Sequence, residues 1–273
     1  NDAFQYVDKV LVLTDFVKKG IAKAAPPGKE VVKITYPFVK NWVILQSPSA
    51  VKQKYGIAED DFLFFFNFDF LSGYDRKNPE ALVRAFAKAF GKRKGVKLLL
   101  KTVHYHGFGA KVKALENLLD ELGIRENICF VHDALSRDEF MTLMNACDCY
   151  ISLHRSEGLG MGLLEAMYLG KPAIGTAFGG NMDFMTEENS FLVNYEMVPL
   201  QEDFGPYRKG WLWAEADIEQ AALWMKDVYE NPEKAQHKAK QAQKDVREKY
   251  SSAAFQADLF RLWQKNSNVD EVR

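Results

Sequence analysis

In the second half of this 273-residue sequence, a glycine-rich loop follows a short apolar run and leads into a helix-like segment. One glutamate, Glu157, begins the loop, and a second lies in the helix-like segment. Residues 157–162 read Glu-Gly-Leu-Gly-Met-Gly, and Glu165 falls in the early turns of the helix predicted for residues 161–169. Glycine lets the backbone approach a ligand, and a helix N-terminus presents unpaired N–H groups with a partial positive charge. The segment therefore predicts a phosphate site, flanked by carboxylates that can each accept two hydrogen bonds from a sugar or ribose diol.

The glycine spacing differs from the two common nucleotide-binding motifs. It does not fit the dinucleotide fingerprint, and the loop lacks the Lys-Ser/Thr pair of a P-loop. The loop follows an apolar run at residues 148–153 that predicts a strand. In doubly wound sheets, ligands bind beyond the carboxyl ends of the strands, which is where this loop would lie.

Apolar runs alternate with amphipathic segments along most of the chain. The predicted strands are residues 9–14, 31–36, 62–68, 96–103, 128–131, 148–153, 173–176 and 191–194. Helices are predicted up to about residue 25, at 78–90, 110–122, 136–146 and 161–169, and over most of 217–266. This alternation predicts an α/β protein with a doubly wound, Rossmann-like, mainly parallel sheet of six strands and C-terminal helices. Residues 46–273 would form that domain, whereas residues 1–45 would be the last β-α-β piece of another domain and a connection.

The composition is typical of a globular protein, with 47% hydrophobic and 27% charged residues. The net charge of −1 argues against nonspecific binding to nucleic acid. No apolar run is long enough for a membrane span, and the N-terminus resembles an internal piece of a longer chain rather than a signal peptide. The three cysteines lack zinc-site spacing, which indicates free thiols in a cytoplasmic protein.

Residues 154–176 resemble the signature of the retaining family 4 glycosyltransferases, which have the two-domain GT-B architecture. The match comprises the glutamate pair, the Gly-x-Gly between its members, the Glu-Ala-Met that follows, and the Gly-Lys-Pro-x-Ile turn. The resemblance extends over about residues 5–250, and residues 68–79 and 194–217 are similar to a bacterial polysaccharide-synthesis branch. It implies that the chain is the C-terminal, nucleotide-sugar-binding half of such an enzyme, without the N-terminal acceptor domain.

The resemblance also implies roles for individual residues. Glu157 is similar to the glutamate that contacts the transferred sugar, Glu165 to the one that holds the nucleotide ribose, and Lys77 to the lysine that neutralises the pyrophosphate leaving group. The residues expected to offer backbone amides to the sugar and diphosphate are Gly158, Leu159, Gly160 and Met161. The resemblance therefore implies catalytic roles for Glu157 and Lys77 in a site that requires no metal and no other cofactor.

Two further contacts to the donor follow from the same resemblance. Leu71 stands where the family often has an arginine, so Arg76 is expected to supply the second cationic contact. The loop of His132, Asp133 and Ala134 is expected to meet the nucleobase through its backbone, which leaves uracil and guanine as alternatives. His104 and His106 lack a third ligand nearby and are interpreted as loop residues.

The predicted function is retaining transfer of a hexosyl group from a nucleoside-diphosphate sugar to a glycan or lipid-linked acceptor in cell-surface polysaccharide synthesis. The alternatives are a nucleotide-sugar-binding module without activity and a GT-B-fold isomerase. The full-length protein would be cytoplasmic or peripheral on the cytoplasmic face of a membrane. Without the acceptor domain, apolar residues within 1–45 and 255–263 should be uncovered, or buried against each other or a neighbouring chain. The chain should bind donor with little transfer.

Overall fold

The predicted alternation of strands and helices is present in the structure, a computed structural model that describes residues 2–38, 40–205 and 207–270. The strands are β1 (Lys9–Val12), β2 (Glu30–Lys33), β3 (Phe62–Asp69), β4 (Val96–Val103), β5 (Ile128–Val131), β6 (Cys149–Ser152), β7 (Ala173–Thr176), β8 (Phe191–Val193), β9 (Tyr195–Pro199) and β10 (Leu212–Ala216). The helices are α1 (Asp15–Ala24), α2 (Pro48–Lys54), α3 (Tyr74–Lys77), α4 (Pro79–Phe90), α5 (Gly109–Glu121), α6 (Arg137–Asn145), α7 (Met161–Tyr168), α8 (Ile218–Glu230), α9 (Pro232–Lys249) and α10 (Ser252–Asp270).

The main sheet has six parallel strands in the order β5-β4-β3-β6-β7-β8. Its central strand β3 carries Phe64, Phe65 and Phe66, which are all fully buried. Such a run needs apolar partners on both faces of the sheet, and α4 and α7 are among the helices that pack there. The predicted doubly wound sheet is therefore confirmed, and all its strands end at one carboxyl edge.

The first strands form a separate β-α-β unit. β1 and β2 pair in parallel, and α1 connects them, as predicted for this part of the chain. β1 ends at Val12, earlier than predicted, because the Thr14 hydroxyl caps α1 by accepting a hydrogen bond from the Val17 amide. The same hydroxyl donates to the carbonyl of Gly158 at 2.7 Å, so this unit contacts the glycine-rich loop. The predicted domain boundary near residue 45 stays a prediction.

An antiparallel hairpin formed by β9 and β10 was not predicted from the sequence. β9 is mostly exposed, so it shows no alternation of buried and exposed side chains that would reveal a strand. The helix predicted for residues 78–90 is present as α4, and the short helix α3, which was not predicted, precedes it. Asn78 separates them with a left-handed backbone (φ 55°), and its side chain accepts from the Ala81 amide at the start of α4.

Several large apolar side chains are exposed where the sequence analysis expects uncovered surface. Leu11 of β1, the segment of Val43, Ile44 and Leu45, and Leu259, Phe260 and Trp263 of α10 are all exposed. Cys129, Cys147 and Cys149 are free thiols, as predicted. Within the described ranges, no helix has the length and the apolar character that a membrane span requires.

Candidate active site

Lys77 and Glu157 lie at the same edge of the sheet because they follow neighbouring parallel strands. Lys77 ends the short helix after β3, and Glu157 lies in the loop after β6. Both line a cleft of about 300 Å³, together with Gly160, Met161 and Glu165. The structure therefore brings five of the predicted site residues together in one cleft.

Glu157 is held between two cations. The Lys77 ammonium donates a hydrogen bond to its Oε1 atom, and Arg76 Nη1 lies 3.0 Å from the same oxygen. The Glu157 side chain is only 11% exposed. Burial raises the pKa of this carboxyl, but the attraction of Lys77 and Arg76 outweighs it, and the pKa lies below its usual value. Glu157 is therefore ionised at neutral pH, and the three groups together keep one positive charge.

Arg76 forms hydrogen bonds with backbone carbonyls on both sides of the site. Its Nη1 atom donates to the Ser156 carbonyl at 2.6 Å, while Nε and Nη2 donate to the Ser72 carbonyl at 3.1 and 2.9 Å. These bonds tie α3 to the loop that carries Glu157. The expected contact between Arg76 and the donor stays a prediction, because the guanidinium is directed at the chain's own carbonyls.

Glu165 has an ion-pair partner that the sequence analysis missed. Arg137, the first residue of α6, places Nη1 2.6 Å from Glu165 Oε1. Glu165 is 4% exposed, and burial raises its pKa above the usual value although Arg137 pulls in the opposite direction. A sequence signal did exist: a cation in the first turn of a helix opposes the helix dipole, so Arg137 needs another partner there.

The glycine-rich loop is shaped by close contacts. Gly160 caps α7 with a left-handed backbone (φ 87°), which only glycine adopts readily. A Cβ atom on Gly162 would lie 2.1 Å from the Tyr150 hydroxyl, which itself donates to Asn67 Oδ1 at 2.9 Å. Asn67 also lines the cleft, and a lone polar residue inside the Phe-rich strand β3 was its sequence signal.

A buried histidine, His154, forms hydrogen bonds beneath the glycine-rich loop. His154 is fully buried; its Nε2 atom lies 2.9 Å from the Phe178 carbonyl and 3.1 Å from Asn181 Oδ1, and its Nδ1 atom lies 3.1 Å from Ser152 Oγ. Since a carbonyl only accepts, Nε2 carries the proton and Nδ1 accepts from the serine hydroxyl. Burial lowers the pKa of His154, so the ring is neutral and serves to fix the loop.

A second cavity of about 450 Å³ adjoins the first, with Asn67, Arg137 and Phe140 lining both. Ala134 lines it, whereas His132 packs its ring on Tyr105 at 4.1 Å between centroids.

Two of the residues predicted to approach the nucleobase lie beside this cavity rather than in its lining. His132 Nδ1 lies 2.6 Å from Thr102 Oγ1, and burial lowers the pKa of the ring. Asp133 is exposed. The backbone contact of this loop with a nucleobase stays a prediction.

Gly158 and Leu159 complete the predicted residues. The Gly158 carbonyl accepts a hydrogen bond from the Thr14 hydroxyl, and Leu159 is half-buried against the core.

Among the residues that the structure describes, no group of three or more His, Cys, Asp or Glu side chains is placed to hold a metal. Metal independence of the reaction stays a prediction.

Comparison with known proteins finds similar sequences and similar folds. The sequence profile described as "Glycosyl transferases group 1" matches residues 50–245. The chain is 28% identical over 144 residues to the "Putative glycosyltransferase EpsD" of Bacillus subtilis, covering 52% of this chain and 35% of that protein. It is 29% identical over 156 residues to the "N-acetyl-alpha-D-glucosaminyl L-malate synthase" of Bacillus anthracis, covering 56% of this chain and 37% of that protein. The chain thus spans little more than a third of these curated relatives.

Solved structures agree with the observed fold. Anabaena Alr3699/HepE in complex with UDP and glucose superimposes with a TM-score of 0.77 at 19% identity, covering 96% of this chain and 65% of that one. The C-terminal domain of LpcC, a glycosyl transferase group 1 family protein from Francisella tularensis, gives a TM-score of 0.59 at 17% identity, covering 77% of this chain and 96% of that one. The fold is that of the GT-B glycosyltransferases, and the chain belongs to the glycosyl transferases group 1 family.

Proposed function

We propose that this chain is the donor-binding half of a retaining hexosyltransferase that uses a nucleoside-diphosphate sugar. The observation that carries the proposal is the single cleft in which Lys77, the N-terminus of α7, and the carboxylates of Glu157 and Glu165 meet. HepE, which shares the fold, is described in complex with UDP and glucose, and this supports a nucleotide-sugar donor. The acceptor would be a glycan or a lipid-linked glycan in cell-surface polysaccharide synthesis, at the cytoplasmic face of a membrane.

In this proposal, the cleft stabilises the departing diphosphate without a metal. The diphosphate oxygens would bind at the N–H groups of α7 and at the Lys77 ammonium, which now donates to Glu157. Preorganised donors of this kind stabilise the negative charge that develops on a leaving group. In a front-face displacement, the acceptor oxygen bonds to the anomeric carbon on the side from which the phosphate leaves, and the acceptor proton passes to a phosphate oxygen.

The two buried carboxylates would divide the recognition of the donor. Glu157, ionised between its cations, would accept hydrogen bonds from hydroxyls of the transferred sugar. Glu165, which lies in the second turn of α7 and pairs with Arg137, would accept hydrogen bonds from the ribose hydroxyls. Burial raises the pKa of Glu165, and the charge of Arg137 opposes this rise. Arg137 therefore favours the ionised form of Glu165, which accepts hydrogen bonds with both oxygens.

Titration calorimetry with UDP, UDP-glucose, GDP and GDP-mannose tests the donor site. We expect dissociation constants between about 1 mM and 1 μM, or roughly −4 to −8 kcal/mol. Glu165→Ala should weaken binding of both the bare nucleotide and its sugar. Glu157→Ala should leave the bare nucleotide nearly unaffected and weaken only the sugar-bearing donor. Glu233→Ala, an exposed glutamate of α9, is the matched control. A Glu157→Ala variant that loses as much affinity for the bare nucleotide as for the nucleotide sugar would contradict the division of roles.

A transfer assay separates an enzyme half from a binding module. We expect the 273-residue chain to bind donor with little transfer, because it matches only 35% and 37% of the length of two curated relatives. Adding an acceptor domain, in trans or by fusion, should restore transfer. Donor binding that never leads to transfer with the acceptor domain present would favour the non-catalytic alternative.

A further inference from the structure

The hairpin that the sequence analysis missed is fastened to the loop of the active site by Arg155. Its Nε atom lies 2.6 Å from Glu215 Oε2 of β10, and its Nη1 atom donates to the Asp75 carbonyl of α3 at 2.8 Å. The guanidinium also stacks over the Trp213 ring, 4.7 Å from its centroid. In addition, the Ala214 amide donates to the Arg155 carbonyl at 3.0 Å. These contacts hold the hairpin in a fixed position beside α3.

A cavity of about 260 Å³ lies between this hairpin and α3. Its lining combines aromatic rings with carboxylate and amide groups: Asp75, Gln201, Glu202, Phe204, Trp213 and Glu215. Glu215 uses one oxygen for Arg155 and the other for Asn78 Nδ2 at 3.0 Å. Since a carboxylate has about four acceptor positions, it can still accept hydroxyl donors.

The cavity is lined by residues that lie close in the chain to those of the donor cleft, but it differs from that cleft in charge. Asp75 is two residues from Lys77, and Arg155 is two residues from Glu157, so about 7 Å of chain at most separates each pair. Three carboxylates and the Arg155 guanidinium line the cavity, and Asp75 also pairs with the Lys111 ammonium at 2.8 Å. This excess of negative charge disfavours a diphosphate. The carboxylate and amide oxygens of the lining can accept hydrogen bonds from a hydroxyl-rich ligand.

We propose that this cavity, which we call the hairpin cavity, is a binding subsite for a neutral sugar residue of the acceptor glycan. The C–H face of a sugar ring can pack on Trp213 and Phe204 while its hydroxyls donate to Glu202 and Glu215. Arg155 fixes the orientation of the Trp213 ring, so the subsite exists before the ligand arrives. The assignment to the acceptor rests on the proposed function, whereas binding of a sugar rests on the cavity alone.

Saturation-transfer NMR on the 273-residue chain tests the subsite with four neutral disaccharides: maltose, cellobiose, lactose and N,N′-diacetylchitobiose. We expect transfer to at least one of them, with affinity roughly three- to tenfold weaker in Trp213→Ala. Trp211→Ala is the matched control, because Trp211 is 57% exposed in the same hairpin and does not line the cavity. Glu202→Gln, a change at an exposed side chain, should also weaken binding without affecting the fold.

Saturating UDP distinguishes the hairpin cavity from the donor cleft. The disaccharide signal should persist, because the two sites have different linings. The proposal is overturned if no disaccharide gives a signal, if Trp213→Ala and Trp211→Ala behave alike, or if UDP abolishes the signal. A chain that binds a disaccharide through Trp213 but does not bind any nucleotide would refute the proposed donor role and support the subsite.

Discussion

Replacing Arg137 by glutamine should destabilise the protein in a pH-dependent way. The change removes the cation 2.6 Å from Glu165, a carboxylate that is only 4% exposed. Removing one partner of a buried ion pair costs about 3–5 kcal/mol. The Arg137 side chain is 40% exposed, however, so water already screens the pair. We therefore expect a loss in the free energy of unfolding of about 1.5–2 kcal/mol at pH 7.5.

The direction of the pH dependence follows from the raised pKa of Glu165. Between its unfolded pKa and its higher folded pKa, the folded chain binds more protons than the unfolded chain. Stability from this group therefore falls as pH rises through that window. Arg137→Gln should raise the folded pKa further and widen the window. Near pH 4.5, where the carboxyl is protonated, the loss should shrink to under about 0.5 kcal/mol.

Urea unfolding at pH 4.5, 6.0 and 7.5 measures this dependence, and the midpoint temperature at pH 7.5 should fall by about 3–8 °C. Adding Glu165→Gln should recover most of the loss, since no buried charge is then left unpaired. Arg84→Gln, at an exposed arginine of α4, is the matched control. An equal loss at all three pH values, or a double variant as unstable as the single one, would refute the reasoning.

Three other substitutions test separate contacts. Lys77→Ala should weaken UDP binding by roughly ten- to a hundredfold in calorimetry, because one charge-assisted hydrogen bond is lost, whereas the exposed Lys113→Ala should not. Gly162→Ala should lower stability by about 1–3 kcal/mol in urea unfolding, because the added methyl overlaps a buried tyrosine hydroxyl. Gly107→Ala, where a Cβ meets nothing within 4 Å, should cause no comparable loss. Thr14→Val should lose about 1–2 kcal/mol and Thr14→Ser much less; equal losses would rule out the hydroxyl as the cause.

The parallel sheet could be predicted because its strands are apolar on both faces and end at clear breaks. The same reasoning placed the loop of Glu157 beyond the carboxyl ends of the strands, and the structure shows it there, with Lys77 after the neighbouring strand β3. β9 could not be predicted, because its side chains are mostly exposed and its backbone pairs with β10, a strand that Arg155 contacts.

The charge partners within the site were also beyond the sequence analysis. Arg137 and Glu165 belong to different helices, and their pairing depends on how α6 and α7 end at the sheet edge. The hydrogen bonds of Arg76 to the carbonyls of Ser72 and Ser156 were not predicted either, and its contact with the donor stays a prediction. Composition and spacing indicate which residue types could form a site, whereas the tertiary structure determines where a long side chain points.

The position of β3 has a consequence for how the chain reaches its folded state. Residues 62–68 form an uncharged, proline-free, Phe-rich segment, the type of sequence that aggregates when its strand edges are open. β4 follows soon in the chain and covers one edge, but β6, which covers the other, comes much later. During synthesis or refolding, that second edge stays available to other chains until residue 149 has joined the sheet. The acidic residues 59–61 before the segment and Asp69 after it are gatekeepers that limit this aggregation by electrostatic repulsion.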